Sequence, residues 1–337
     1  MESAVSRISL RQFSGFVLLG LGAAVTFFVF RPVEAPAESR VFTSSDQCAA
    51  CHATVFAEWQ QSWHSRAWED PDVQALSNDF ANTDCIDCHA PRPVFETGVG
   101  QRVLPRSSRR AEGVDCISCH LLAEGARGTV AGTLEDSAAA CRPVAMRELA
   151  QPEFCGVCHD QHKTVQQWRE SSYPAAGVSC VDCHMPFRNG DPNQGRNHTM
   201  HGGHDIELVR SAVSFTARRD GSKLVAAVEN VAAGHHFPTD ERSRAADIFW
   251  RPLAAAGETP GPWRWAYRFR SPYRHEVDLV DTLLPAHEKR EVVIEDEAAR
   301  GAIELSLFYK ITPYWKDPAH PDPDAEARLL YRVTLEP

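Results

Sequence analysis

The residue pattern with the most specific chemistry in this chain is Cys-x-x-Cys-His, which occurs five times. In such a pentapeptide the two thiols add across the vinyl groups of a haem, and the adjacent histidine ligates the iron. Zinc ribbons do not need a histidine after every cysteine pair, and a dithiol enzyme needs only one reactive pair. The sequence therefore predicts five covalently attached c-type haems. The attachment thiols and proximal histidines are Cys48, Cys51 and His52; Cys85, Cys88 and His89; Cys116, Cys119 and His120; Cys155, Cys158 and His159; and Cys180, Cys183 and His184.

Ligation on the other side of each iron decides what the haems can do. An iron with two histidine ligands is closed and suits electron relay, whereas a catalyst needs one open position. Of the 15 histidines, five lie in the motifs and the others are candidates for distal ligands. The candidates with supporting sequence context are His64, His162, His198, His201, His204, His235 and His236.

Several of these candidates have an alternative role. His162 is too close to His159 to reach the same iron, so it reaches a neighbouring haem or hydrogen-bonds a propionate. The tract His198–His204 contains three histidines and can alternatively hold a divalent metal ion. The pair His235-His236 is expected on a loop, because Gly and Pro interrupt the strand pattern there. One of the two caps a haem if this loop packs on the haem region.

The haem region contains an internal repeat. Its unit is a haem motif, then Trp-x-x-Ser-x-His/Tyr, then a second motif followed by proline. The first copy spans Cys48–Pro91 and the second spans Cys155–Pro186, which leaves the Cys116 motif between them. His64 ends the tryptophan segment of the first copy, and Tyr173 takes that slot in the second. The tyrosine predicts either one open haem or a haem that takes its ligand from elsewhere.

The composition limits the partners. The net charge is −10, the acidic excess lies mainly in residues 1–207, and each haem adds two propionates. Nucleic acid is therefore not expected as a partner, whereas a basic redox protein is compatible with this charge. Ten of the 11 cysteines belong to haem motifs, so Cys141 is left over and no disulfide framework is predicted.

An uncharged apolar stretch of 18 residues, Phe13–Phe30, follows Arg7 and Arg11. At about 1.5 Å per residue, a helix of this length just crosses the apolar core of a bilayer. The basic flank keeps the N-terminus in the cytoplasm and exports the rest. The sequence therefore predicts a signal-anchor, a transmembrane helix that holds the chain at the inner membrane, facing the periplasm. The alternative is a signal peptide cleaved after Ala35-Pro36-Ala37, which releases the chain to the periplasm or the cell surface.

Three regions follow one another along the chain. They are the membrane anchor or signal segment at 1–37, a pentahaem cytochrome c domain at 38–207 and a β-sandwich-like domain at 208–337. Gly, Pro, Asp and Ser are frequent in the haem domain, which predicts short helices and loops packed around the haems. The expected fold class is α+β.

Alternation of period two takes over after His204 and predicts an antiparallel sandwich of seven or eight strands. Asp220-Gly221 predicts the turn of a hairpin whose strands carry Val213 and Val228. The aromatic stripe at 263–269 is read as sandwich core rather than as a binding face. Further strands are expected near 246–251, 263–269, 276–282, 289–295, 303–309 and 329–335.

The Cys48–His52 motif followed by Trp59, Ser62 and His64 resembles the multihaem cytochromes of the cytochrome c-554/c-prime family. The paired repeat and the segment Cys180-Val-Asp-Cys-His-Met-Pro186 strengthen this resemblance, which covers most of residues 45–240. It implies closely packed haems, largely bis-histidine ligation and electron relay in the periplasm or at the cell surface.

The same resemblance implies ligands for individual haems. The stretch Asn230–Thr239 resembles the junction between the haem and β regions of related exported cytochromes. The implied distal ligands are His64, His198 and one of His235 and His236. The chain differs from the family pattern in having further histidines at 201 and 204.

The leading functional prediction is therefore an electron carrier rather than an enzyme. Its expected partners are a quinol-oxidising complex, other cytochromes or a terminal reductase, together with the inner membrane through the N-terminal helix. The alternative is a reductase of a small nitrogen or sulfur compound, of nitrite or hydroxylamine type, at one open haem. Pentahaem nitrite reductases carry lysine in the catalytic haem motif, whereas all five motifs here end in histidine.

Overall fold

The computed structural model describes residues 42–337, with gaps at 125, 127, 162, 240–241, 255–259 and 274. The predicted anchor at Phe13–Phe30 and the candidate ligand His162 lie outside the described residues. In the part of the chain that is described, none of the helices combines the length and apolarity needed to cross a bilayer. Residues Val41–Pro337 form one compact unit, and the predicted boundary at 207 stays a prediction.

The haem region consists of short helices, as the sequence predicts. Asp115 with Ser118, and Ser179 with Asp182, form capping boxes that start two motif helices just before the first cysteine. The two cysteines of a motif are three residues apart, so one turn of helix places both on the same face. The helices are α1 Asp46–Ala49, α2 Ala53–Gln61, α3 Pro71–Ser77, α4 Ile86–His89, α5 Val94–Thr97, α6 Cys116–His120, α7 Pro152–His159, α8 Thr164–Glu170, α9 Cys180–His184 and α10 Ile206–Ser211.

Short strands and 3₁₀ turns connect these helices. The parallel pair β1 (Val130–Gly132) and β2 (Pro143–Ala145) was not predicted from the sequence. It lies directly after α6, and the Ala131 carbonyl accepts a hydrogen bond from the Nδ1–H of His120. The pair therefore helps to orient the His120 ring. The 3₁₀ turns are Thr83–Cys85, Arg110–Glu112, Arg147–Ala150, Arg188–Gly190, Pro192–Gln194 and, in the β region, Glu297–Arg300.

Two antiparallel sheets form the C-terminal part. One has the order β3-β4-β7 and the other β6-β5-β8-β9, and both contribute to one apolar core that contains Leu224, Ile248 and Leu305. The predicted hairpin is confirmed, since Asp220 pairs with Lys223 across a turn. The elements are β3 Val213–Asp220, β4 Lys223–Asn230, β5 Ala245–Pro252, β6 Arg264–Phe269, β7 Lys289–Ile294, β8 Ile303–Lys310, α11 Pro323–Glu326 and β9 Arg328–Leu335.

Two expectations for this region are wrong in part. The aromatic stripe does not face one side, because the register against β5 shifts between Ile248 and Phe249. Phe269 is consequently buried in the core, whereas Trp265 is 55% exposed. Residues 276–282 form no strand, since Glu276 closes a turn by binding the Arg270 guanidinium and the Tyr273 main-chain N–H.

Candidate haem sites

The tryptophan of each repeat copy bonds to the main chain in front of a haem motif. The Trp59 indole N–H donates to Val114 O at 2.9 Å. The Trp168 indole N–H donates to Val178 O at 3.1 Å. Each valine lies two residues before the first cysteine of a motif. The helices α2 and α8 are therefore equivalent in their contacts as well as in their sequence.

These bonds correct the composition of the repeat. The motif reached in the first copy is Cys116–His120, and the motif reached in the second copy is Cys180–His184. The sequence-based assignment of Cys85–His89 to the first copy is wrong, because the shared proline after the motif is only a local similarity. The Cys85–His89 motif is instead an insertion within the first copy.

Contacts between thiols support the corrected repeat. In each copy the first cysteines of the two motifs are neighbours whose thiols shift each other's pKa; the two pairs are Cys48 with Cys116 and Cys155 with Cys180. A third thiol contact joins Cys88 to Cys158. The motif helix of Cys155 and Cys158 thus neighbours both the inserted motif and the last motif. Haems attached at these thiols would have adjacent edges.

Three motif histidines face a second imidazole. The ring centres lie 5.9 Å apart for His159 and His64, 6.2 Å for His120 and His198, and 6.4 Å for His184 and His235. Each metal–nitrogen bond is about 2 Å, and an imidazole centre lies about 1.1 Å behind its nitrogen. Two imidazoles on opposite sides of one iron therefore have centres about 6 Å apart. All three pairs fit this arrangement.

Hydrogen bonds orient four of these six rings, and also the ring of His89, for ligation. When the Nδ1–H of a histidine donates to a carbonyl, the Nε2 lone pair is left for a metal. The bonds run from His89 to Ala67 O (2.8 Å), His120 to Ala131 O (2.8 Å), His184 to His201 O (2.5 Å), His198 to Arg196 O (2.9 Å) and His235 to His236 O (3.0 Å). His64 differs, because its Nδ1 contacts the Met200 sulfur.

Burial keeps the partners of the motif histidines, which are His64, His198 and His235, neutral. It lowers the pKa of His64 to about 3, and it lowers the pKa of His198 and of His235 to about 4. Only the neutral imidazole has a lone pair for a metal ion. At pH 7 these side chains are therefore in the form that binds iron.

The remaining histidines of the 198–204 tract have other contacts. His201 Nδ1 lies 2.5 Å from Asp205 Oδ2. The His204 ring stacks on Trp63 at 3.6 Å, and its Nε2 lies 3.2 Å from an Arg244 guanidinium nitrogen. The described residues contain no group of three or more His, Cys, Asp or Glu side chains that could hold a metal ion. Of the three histidines described in this tract, only His198 therefore has its ring facing a motif histidine.

His236 differs from its neighbour in how it is used. Its main-chain N–H donates to Gln167 Oε1 at 3.1 Å, and its carbonyl accepts from the His235 ring.

Among the residues described, no second imidazole is stacked or tilted against His52 or His89 in the way seen for the other three motif histidines.

Glu58 and Arg188 are two further residues of the site that the sequence analysis did not single out. Both Glu58 oxygens lie 2.6 Å from Arg188 nitrogens, and Oε2 also accepts the His198 main-chain N–H at 2.9 Å. The hydrogen bonds from Arg188 lower the pKa of Glu58. The position of Glu58 directly before the repeat tryptophan was the available signal, since Gln167 has the same place in the second copy.

Comparisons with known proteins agree with haem attachment. The family model for cytochrome c554 and c-prime matches residues 47–121, and the model for the N-terminal region of the NapC/NirT cytochrome c family matches residues 127–193. A solved pentahaem cytochrome c552 from Thermochromatium tepidum is 19% identical, with a TM-score of 0.60 over 90% of this chain and 100% of that chain. A superoxide reductase structure (13% identity, 37% of this chain and 87% of that chain) has a TM-score of only 0.20. No curated protein matches the chain.

The two family models lie side by side on the haem region, and both describe c-type cytochromes. The structure with the same fold over most of the chain is itself a multihaem cytochrome. A second imidazole that faces a motif histidine suits axial ligation of a haem iron from both sides. The haem region therefore matches c-type cytochrome families, and the chain shares its fold with a multihaem cytochrome.

Proposed function

We propose that this chain is an exported pentahaem cytochrome that relays electrons between redox partners through closely packed, mainly bis-histidine haems. Each of the five motifs attaches one haem. The observation that carries the proposal is the set of three imidazole pairs with ring centres 5.9–6.4 Å apart. Closed irons suit electron transfer, because a sixth protein ligand keeps substrates off the metal.

The three imidazole pairs support one distal ligand each for three of the haems. His64 serves the haem of His159, His198 serves the haem of His120, and His235 serves the haem of His184. The first of these connects the two repeat copies, since His64 follows the first copy's tryptophan and His159 belongs to the second copy. The haems of the two copies are therefore linked through the protein as well as through space.

Thiol contacts supply a route for the electrons. Haem supplies the one-electron chemistry, and the protein fixes the distance between neighbouring haems. The contacts of Cys88 with Cys158 and of Cys155 with Cys180 make the Cys155–His159 haem a neighbour of two others. The contact of Cys48 with Cys116 joins the remaining two. Cys119 and Cys158 pack against the same apolar cluster, which brings the two groups together, so electrons can hop between attachment sites without a mobile carrier.

The N-terminal apolar stretch favours a place at the membrane, and the acidic charge favours a basic partner. A net charge of −10, before propionates are counted, suits a basic surface on the partner. The partners that fit are a quinol-oxidising complex, another cytochrome or a terminal reductase. An anchor at Phe13–Phe30 would hold the relay at the inner membrane, facing the periplasm.

Low-temperature EPR of the oxidised holoprotein, with and without nitrite, tests the proposal together with a haem count. We expect about five haems per chain and low-spin signals from the three assigned pairs that nitrite leaves unchanged. His64→Ala should convert one haem to high spin, whereas His320→Ala, whose side chain is 87% exposed, should change nothing. A wild-type high-spin signal that nitrite abolishes would favour the reductase instead.

A further inference from the structure

Glu58 and Gln167 hold equivalent positions, each directly before a repeat tryptophan. Glu58 Oε2 accepts the main-chain N–H of His198 at 2.9 Å. Gln167 Oε1 accepts the main-chain N–H of His236 at 3.1 Å, next to His235. Two side chains of different charge therefore make the same bond to two segments that each carry a facing imidazole.

The adjacent tryptophan holds the opposite side of the same haem site. Trp59 bonds to the main chain in front of Cys116–His120, whose histidine faces His198. Trp168 bonds to the main chain in front of Cys180–His184, whose histidine faces His235. In each copy, two consecutive residues of one helix thus contact both the proximal and the distal segment.

The acceptors are shielded from water. Gln167 is 8% exposed and the Glu58 side chain is 14% exposed, so water competes poorly for the hydrogen bonds that they accept. Neither His198 nor His235 lies in a helix or strand, so their segments have no regular hydrogen-bond ladder to fix them. A buried acceptor on a rigid helix provides that restraint.

We propose that Glu58-Trp59 and Gln167-Trp168 are positioning pairs, each of which holds the proximal and distal ligands of one haem at bis-histidine separation. The proposal rests on the axial pairs assigned under the proposed function. What the acceptor residue must supply is an oxygen for a main-chain N–H, not a charge, because glutamate and glutamine do the same work in the two copies. The Arg188 ion pair is then an addition confined to the first copy.

Carbon monoxide binding to the reduced holoprotein tests this, because CO enters only where the distal ligand leaves the iron. Glu58→Ala and Gln167→Ala should each add about one CO per protein, and each should weaken one low-spin EPR signal. Glu58→Gln keeps the acceptor oxygen, so it should stay closed to CO as wild type does. Gln166→Ala is the matched control on the same helix, because the exposed Gln166 side chain bonds to exposed Glu170 and its main-chain bond to Asp160 is kept.

The outcomes separate this proposal from the pairing on which it rests. If wild type lacks the low-spin signals or already binds CO at these haems, the axial pairs are wrong. If wild type is closed and both alanine variants, with full haem content, stay closed, the positioning role is wrong. Gln167→Ala removes one neutral hydrogen bond only, so it decides the matter even if Glu58→Ala cannot be isolated. CO binding to the Glu58→Gln variant would overturn the proposal at that site, because charge and not the acceptor oxygen would then hold the distal segment.

Discussion

Arg106 is expected to be the most sensitive cation of the haem region. Its guanidinium is 6% exposed and donates to Pro91 O (3.1 Å), Ser118 Oγ (3.0 Å) and Gly113 O (2.6 Å), and it lies 3.4 Å from Asp115. Asp115 in turn caps the motif helix through the Ser118 N–H at 2.8 Å. Burial raises the pKa of Asp115, but Arg106 and Ser118 more than compensate and keep it below its usual value. Arg106→Met would leave this carboxylate buried with one partner fewer.

Breaking a buried ion pair by removing one partner costs about 3–5 kcal/mol. Arg109 still lies 2.6 Å from Asp115, so we expect the lower end, about 3 kcal/mol. At an unfolding entropy of about 2.1 cal/mol/K per residue, this corresponds to a fall in Tm of roughly 4–5 °C for a chain of this size. The Tm is measured by thermal unfolding of the holoprotein, followed by circular dichroism at the haem absorption band. Arg102→Met is the matched control, because that side chain is 71% exposed while bonding to Asp84 and Asp87. Equal Tm values for the two variants would refute the reasoning.

Three further outcomes can be measured. His235→Ala should make one haem high-spin in the EPR spectrum while the haem count stays unchanged; an unaltered spectrum would remove His235 as a ligand. Leu305→Ala, at a fully buried core position, should lower the free energy of unfolding in denaturant by about 2–5 kcal/mol. Leu76→Ala, at a 63% exposed position, is the control, and an equal or larger loss there would contradict the assigned core. Asp70→Ala removes the acceptor for the Asp72 and Val73 N–H groups at the start of α3 and should cost about 1 kcal/mol; no loss on unfolding would show that this cap is dispensable.

The attachment residues can be proposed from the sequence because thioether chemistry fixes their spacing whatever the fold around them. The variable positions inside the motifs carried a second signal that the sequence analysis did not use. In α6 and α9 these positions, with the residue before the first cysteine, make the capping boxes of Asp115 with Ser118 and of Ser179 with Asp182. Polar residues at these places therefore specify where the motif helix begins.

The repeat was found but assembled incorrectly, because its defining contact is not local. The bond from Trp59 to Val114 joins residues 55 apart in the chain, across the whole inserted motif. The bond from Trp168 to Val178 spans only ten residues. An insertion of that length hides the equivalence from any comparison of neighbouring residues.

The choice between His235 and His236 also depended on tertiary contacts. Both have the same local sequence context, but Gln167 binds the main chain of the second, and the first ring is left facing His184. The strand expected at 276–282 failed for a related reason. Its alternation is present in the sequence, yet no neighbouring strand pairs with it, and Val277 is 83% exposed.

The tyrosine in the histidine slot of the second copy follows from where the repeat ends. His64 faces the first haem motif of the next copy, so a histidine at 173 would need a third copy to face. The β region stands there instead: Tyr173 stacks on His287 at 5.2 Å, and Ser172 Oγ lies 2.9 Å from His287 Nε2. The same region carries His235, whose ring faces His184 of the last motif. Arrays of repeats need a terminal element that covers the exposed end of the last unit. Here the β region covers it, with His287 packed on Tyr173 and the imidazole of His235 facing His184.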